Sequence, residues 1–147
     1  MKLNLGSGFD DVEGFVRYDC SPAAPADVRG DIRALPFQDG AFEEIKAHHI
    51  LEHLEKRDHV AVLNECHRVL APGGMIEVEV PVFPYPLAIA DPTHLSFWHS
   101  MSFDYFCAGH GHDEHMALYG IRPWRMVAAP KRIADGEIVN VTLEKLA

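Results

Sequence analysis

Positive charge is scarce in this chain. Thirteen Lys and Arg stand against 22 Asp and Glu, giving a net charge of -9 at pH 7. That balance argues against a phosphate-backbone partner, so no nucleic acid is expected. Cysteine is scarcer still: Cys20, Cys66 and Cys107 are odd in number and far apart. They form no CxxC motif for metal or redox work and suit a reducing compartment. No apolar run approaches the ~20 residues needed to span a bilayer, so no membrane partner is expected. The first residues, "MKLNLGSG", enter a structural motif directly, with no secretory hydrophobic region; the expected location is the cytoplasm. Repeats and linkers are missing too. At 147 residues, 48% of them hydrophobic, the chain reads as one domain over 1–147 with its own core. What it has in surplus is histidine, ten in all.

Strand patterns occupy "MKLNL" (1–5), "FVRYD" (15–19), "ADVRGD" (26–31), "FEEIKAH" (42–48) and "MIEVEVP" (75–81). "ILEHL" (50–54) reads as a helical turn. "RDHVAVLNECHRVL" (57–70) reads as a helix, because Val62, Leu63, Cys66, Val69 and Leu70 form a stripe at spacings of three and four. "APGG" ends it. "SFDYFCAG" (102–109) is a second short helix with Ser102 as cap and Gly109 as stop. The runs 122–133 and 137–146 flank "ADG", the signature of a hairpin.

Strands alternating with helices predict a mostly parallel sheet with a C-terminal antiparallel hairpin. Parallel strands are usually apolar on both sides. Here Lys2 and Asn4, then Glu44, Lys46 and His48, then Glu77 and Glu79, interrupt the apolar residues at every second place. Such alternation means one packed face and one wet face. The links between the first three strands are also too short for helical crossovers. The expected fold is α/β, Rossmann-like and reduced, with helices mainly on one face. A second copy of the chain could cover the exposed face as a homodimer, although charge is depleted from interface cores.

The ligand signal begins at "LNLGSG" (3–8), where Gly6 and Gly8 let a strand end turn sharply and let a ligand approach. The third glycine of a dinucleotide fingerprint is absent, because Asp10 stands there. Asp19 closes the second strand, placed to accept from both hydroxyls of a ribose; Asp31 closes the third and could accept from an adenine amino group. The plainer reading is a turn with two surface aspartates.

Taken with "YDCSP", "GDIRALPFQDGAFEEI", "HHILEHL", "ECHRVLAPGGMIEVEVP", "DPTH" (91–94) and "HDEH" (112–115), the sequence resembles the class I S-adenosylmethionine-dependent methyltransferases. More narrowly it is similar to a compact, type 11-like predicted subgroup. The resemblance implies a strand order of 3-2-1-4-5-7-6 with the last strand antiparallel, and S-adenosylmethionine as cofactor. It implies cofactor contacts from Asn4, Gly6, Ser7, Gly8, Asp19, Asp31, Ile32 and His48. The helices that the family carries before the first strand and after the glycine loop have no counterpart. The implied activity is methyl transfer to a small-molecule or sugar-like oxygen or nitrogen acceptor.

Methyl transfer mainly needs alignment and exclusion of water, plus a base if the nucleophile starts protonated. The catalytic candidates are His49, Asp91 and His94. Each has a plainer reading: turn chemistry for Asp91 and His94, a strand-end role for His48 and His49. His53 reads as packing or capping. Phe97, Trp98, Phe103, Tyr105 and Phe106 could wall a substrate pocket or fill the core. His110, His112, Asp113 and His115 could meet at a metal. A polar loop ordered over the active site is preferred, so no metal site is expected. Two other functions stay open: a non-catalytic cofactor-binding or interaction domain of the same fold, and a metal-dependent protein centred on residues 110–115.

Overall fold

The computed structural model describes residues 1–146, so the single-domain reading of 1–147 runs one residue past them. Alternation sets the strands. β1 (Lys2–Leu5), β2 (Phe15–Asp19), β3 (Val28–Arg29), β4 (Phe42–His48) and β5 (Leu70–Pro81) are parallel neighbours in the order β3-β2-β1-β4-β5. β8 (Ile138–Lys145) runs antiparallel beside β5. β6 (Trp124–Met126) and β7 (Lys131–Ile133) both pair with β8 as one interrupted outer strand. Counted so, the order is the expected 3-2-1-4-5-7-6.

Ile45, Ala47, Ile76, Val78, Val80, Val139, Val141 and Leu143 all point into the core at 2% exposure or less. Their neighbours on the other face bond laterally instead. Lys2 pairs with Glu44 at 2.6 Å, and Asn140 donates to Glu79 at 2.9 Å. α1 (His59–Val69) covers the apolar face through Val62, Leu63, Cys66 and Val69. Trp98, Phe103, Phe106, Met116 and Ile121 extend that layer. Burial pushes the Cys66 thiol up to about 12, so it is an inert core group.

The links 6–14 and 20–27 contain no α-helix, and local bonds replace the crossover. Asp10 NH donates to Ser7 O at 2.8 Å, Asn4 donates to Asp10 O at 3.4 Å, and Lys46 pairs with Asp10 at 3.2 Å. The first loop is thereby tied to the polar face.

Several boundaries differ from expectation. The third strand has two residues rather than 26–31, because the Asp27 carboxylate takes the backbone NH and guanidinium of Arg17. Asp31 therefore follows the strand instead of closing it. The helix expected at 57–70 is α1, preceded by a 3-10 turn at Lys56–Asp58. The 102–109 helix is a 3-10 segment over Ser100–Phe106, and its cap is His99. Ser102 returns the bond to the His99 NH at 3.0 Å. A four-residue helix, α2 (Pro86–Ile89), was not expected. Residues 113–119 form α3 (Asp113–Tyr119) instead of a loop, ending on left-handed Gly120.

Candidate functional site

The carboxyl ends of β1, β2 and β4 meet at one edge of the sheet. Gly6 turns the chain there with φ +67°, and a Cβ on it would stand 2.6 Å from the Ile50 side chain. Only glycine meets both demands. Asp19 Oδ2 accepts from Gly8 NH at 2.8 Å and Oδ1 from Ser21 NH at 2.7 Å. One carboxylate thus pins the glycine turn to the second strand, and each oxygen keeps a lone pair for a ligand.

Gly6, Asp19, Asp31 and Ile32 line one cavity of about 440 Å³, together with Ile50 and His53. Arg33 grips Asp31 through Nε and a terminal nitrogen at 2.6–3.0 Å. That grip holds the Asp31 carboxyl below the usual range. The other four cofactor candidates lie off this cavity. Gly8 acts through its NH on Asp19. Asn4 is buried and bonded to the Asp10 carbonyl. Ser7 is buried with no hydrogen-bond partner for its hydroxyl among the described residues. The His48 ring lies between Glu77 (2.6 Å) and Glu79 (3.3 Å) on the polar face of the sheet.

A second cavity, of about 550 Å³, adjoins the first, with His53 in both walls. His49, Asp91 and His94 all line it. The structure brings these three together by stitching 91–96 onto the 3-10 turn Leu51–His53. Glu52 O accepts from the NH groups of Leu95 (2.8 Å) and Ser96 (3.1 Å). Within the turn, Asp91 Oδ1 accepts from Thr93 NH at 2.8 Å and Thr93 Oγ1 at 2.6 Å. These bonds hold the Asp91 carboxyl low, which makes it a poor base. The His94 Nδ1–H donates to Ala88 O at 3.0 Å, leaving Nε2 free as an acceptor. His49 takes a left-handed backbone, φ 53°, rare for a side chain of its size and common at functional sites. Its Nδ1 lies 3.4 Å from Glu52 Oε1, and that carboxylate raises the imidazole's pKa above the ordinary value.

Glu52 and His53 escaped the sequence reading as site residues. Glu52 is 1% exposed beside the buried Leu51, where a strictly amphipathic pattern would place no carboxylate. Of the aromatic candidates, Trp98, Phe103 and Phe106 are buried while Phe97 and Tyr105 are exposed, and all but Phe103 line a separate cavity of about 430 Å³. His110 pairs with Asp104 at 2.9 Å, and His112 stacks on Tyr105 with centroids 3.8 Å apart. Residues 110–115 line neither wall of the paired cavities, contrary to the expected loop over the active site.

Known proteins bear on this geometry. The family profile described as a methyltransferase domain matches residues 8–78. Among curated proteins no match is found. A methyltransferase described as S-adenosylmethionine-dependent, from Archaeoglobus fulgidus, is 13% identical with a TM-score of 0.70, over 98% of this chain and 85% of its own. A chain from the complex of the Haloferax volcanii Trm112 methyltransferase activator with a methyltransferase is 15% identical, TM-score 0.69, over 99% and 82%. The Burkholderia thailandensis 1,6-didemethyltoxoflavin-N1-methyltransferase, with bound 1,6-didemethyltoxoflavin and S-adenosylhomocysteine, is 15% identical, TM-score 0.66, over 99% and 71%. The methyltransferase-domain match over 8–78 and the shared fold over nearly the whole length make the chain similar to the class I, type 11-like S-adenosylmethionine-dependent methyltransferases, as its motifs imply.

Proposed function

We propose that the protein transfers a methyl group from S-adenosylmethionine, held in the Gly6–Asp19 cavity, to a small acceptor in the His49–Asp91–His94 cavity. The observation that carries this reading is the pair of cavities meeting at His53. A nucleoside fits the first: Asp19 faces the ribose hydroxyls, and Ile32 and Leu54 offer apolar walls to the adenine. Asp31, already held by Arg33, positions the segment more than it binds the base. The cofactor is a sulfonium without phosphate, so the family's missing helix N-terminus matters little. Cofactor bound there supplies an activated methyl carbon. The chain's residues then align an acceptor oxygen or nitrogen with that carbon and keep water out. A proton on the acceptor passes to an imidazole of the second cavity, His49 or His94.

Calorimetry with S-adenosylmethionine on wild type and Asp19→Ala tests the cofactor half. Wild type should bind, with affinity falling at least about tenfold in the variant, since the carboxylate takes with it its charge-assisted bonds to the Gly8 NH of the glycine turn and to the Ser21 NH. Equal binding by both proteins would defeat the reading. Binding without any S-adenosylhomocysteine formed across an acceptor panel of alcohols, sugars and amines would favour the non-catalytic alternative.

A further inference from the structure

A buried carboxylate without donors is costly, and natural proteins rarely keep one. Glu52 is such a group. Among the described residues neither of its oxygens has a hydrogen-bond partner, and its nearest charged neighbour, His49 Nδ1, stands at 3.4 Å. A carboxylate oxygen of Glu52 and one ring nitrogen each of His53 and His94 lie within 4.8 Å of one another on the second cavity. We propose that Glu52, His53 and His94 bind a first-row divalent cation.

Both imidazoles are held as ligands usually are. The His94 Nδ1–H donates to Ala88 O at 3.0 Å. His53 Nδ1 faces Thr93 O at 3.3 Å and Thr93 Oγ1 at 3.1 Å. The Thr93 hydroxyl is itself committed as donor to Asp91, so it accepts from His53. Each ring is therefore fixed through Nδ1–H to an oxygen, and Nε2 keeps its lone pair. That outer arrangement orients metal-binding histidines and sets their tautomer. Two imidazoles with one carboxylate suit zinc and its first-row neighbours, with a coordination position left for a small molecule.

A competing trio, His48, Glu77 and Glu79, stands on the polar face. It has no comparable need for a cation. Glu77 and Glu79 occupy the two sides of the His48 ring, and Asn140 already donates to Glu79. Among the buried carboxylates of the described residues, Glu52 alone lacks hydrogen-bond donors.

The cation deepens the proposed function and in that respect rests on it. In the acceptor cavity it would bind an acceptor hydroxyl or carboxylate and lower the hydroxyl's pKa, narrowing the class to oxygen acceptors. With their lone pairs engaged by the cation, His53 and His94 would not act as proton acceptors.

Zinc binding is measured on chelator-treated full-length protein, without S-adenosylmethionine, by calorimetry and by metal content after dialysis. Wild type should hold one zinc per chain, and zinc should raise its melting temperature. Glu52→Gln, which keeps shape and loses charge, and His94→Gln should each lose at least about 100-fold in affinity, more than outer-layer changes cost. Glu77→Gln and His115→Gln should bind as wild type does. Melting of the metal-free variants shows whether each is folded. Wild type without stoichiometric zinc overturns the proposal; so does full affinity in folded Glu52→Gln, or loss in Glu77→Gln or His115→Gln. Failure here leaves S-adenosylmethionine binding intact, while failure of that binding leaves the zinc result standing, so the two readings are separable.

Discussion

His67 shows what one buried side chain does to the pH response of the whole chain. It sits in α1 at 8% exposure, edge-on to Trp124 with centroids 5.0 Å apart, and neither ring nitrogen has a partner among the described residues. Burial, aided by Lys145 and Arg122, holds its pKa down to about 4, against 6.5 for a free histidine. Between those values the unfolded chain takes a proton that the folded chain refuses. The stabilisation is therefore complete above pH 6.5 and is lost as pH falls toward 4, by up to about 3 kcal/mol. Urea denaturation at pH 7.5 and pH 5 should show the loss, and His67→Leu should flatten that interval. An unchanged slope in the variant would assign acid sensitivity elsewhere.

At the scale of elements, Arg68 connects helix and cavity. Its guanidinium donates to the carbonyls of Leu35 (2.9 Å) and Phe37 (2.8 Å) and to the carboxylates of Glu65 (2.8 Å) and Asp39 (2.7 Å). The end of α1 thereby fixes the 33–39 loop that follows Asp31 and Ile32. Arg68→Met should lower stability by about 2–3 kcal/mol, since half-buried acceptors lose a charged donor. It should also weaken S-adenosylmethionine binding several-fold without touching the ligand. Lost stability with unaltered affinity would uncouple loop from cavity. The elements themselves were unevenly legible. β2 and β4 have their expected limits, because alternation and a closing turn residue mark both. Residues 26–31 mislead because Asp27 satisfies backbone with side chain, a choice invisible to periodicity. α3 hides behind Gly109 and Gly111, and seven residues are too few for a helical period. In the candidate site, the strand-end positions of Gly6 and Asp19 were legible because turn residues mark where strands stop. Glu52 was not, because its burial contradicts the pattern that otherwise finds cores.

The molecule as a whole is a sheet with unlike faces, and neighbouring residues in β8 report on them. Val141 is 2% exposed on the apolar side, while Thr142, opposite Glu77, lies on the polar side. Val and Thr have the same shape, so exchanging them changes polarity alone. Val141→Thr should cost about 1–3 kcal/mol by burying an unpaired hydroxyl. Thr142→Val should stay within about 0.5 kcal/mol. Equal costs, read from denaturant midpoints, would mean that both faces are covered. The same one-sided layer brings the glycine turn, Asp19 and Ile32 to one edge, next to the three imidazoles.

A crystal structure with S-adenosylhomocysteine tests that placement most directly. The account predicts the ribose hydroxyls within hydrogen-bond distance of Asp19, the adenine against Ile32, and the sulfur turned toward His53. A ligand lodged instead beside Phe97 and Tyr105, or a nucleoside whose ribose lies away from Asp19, would contradict it.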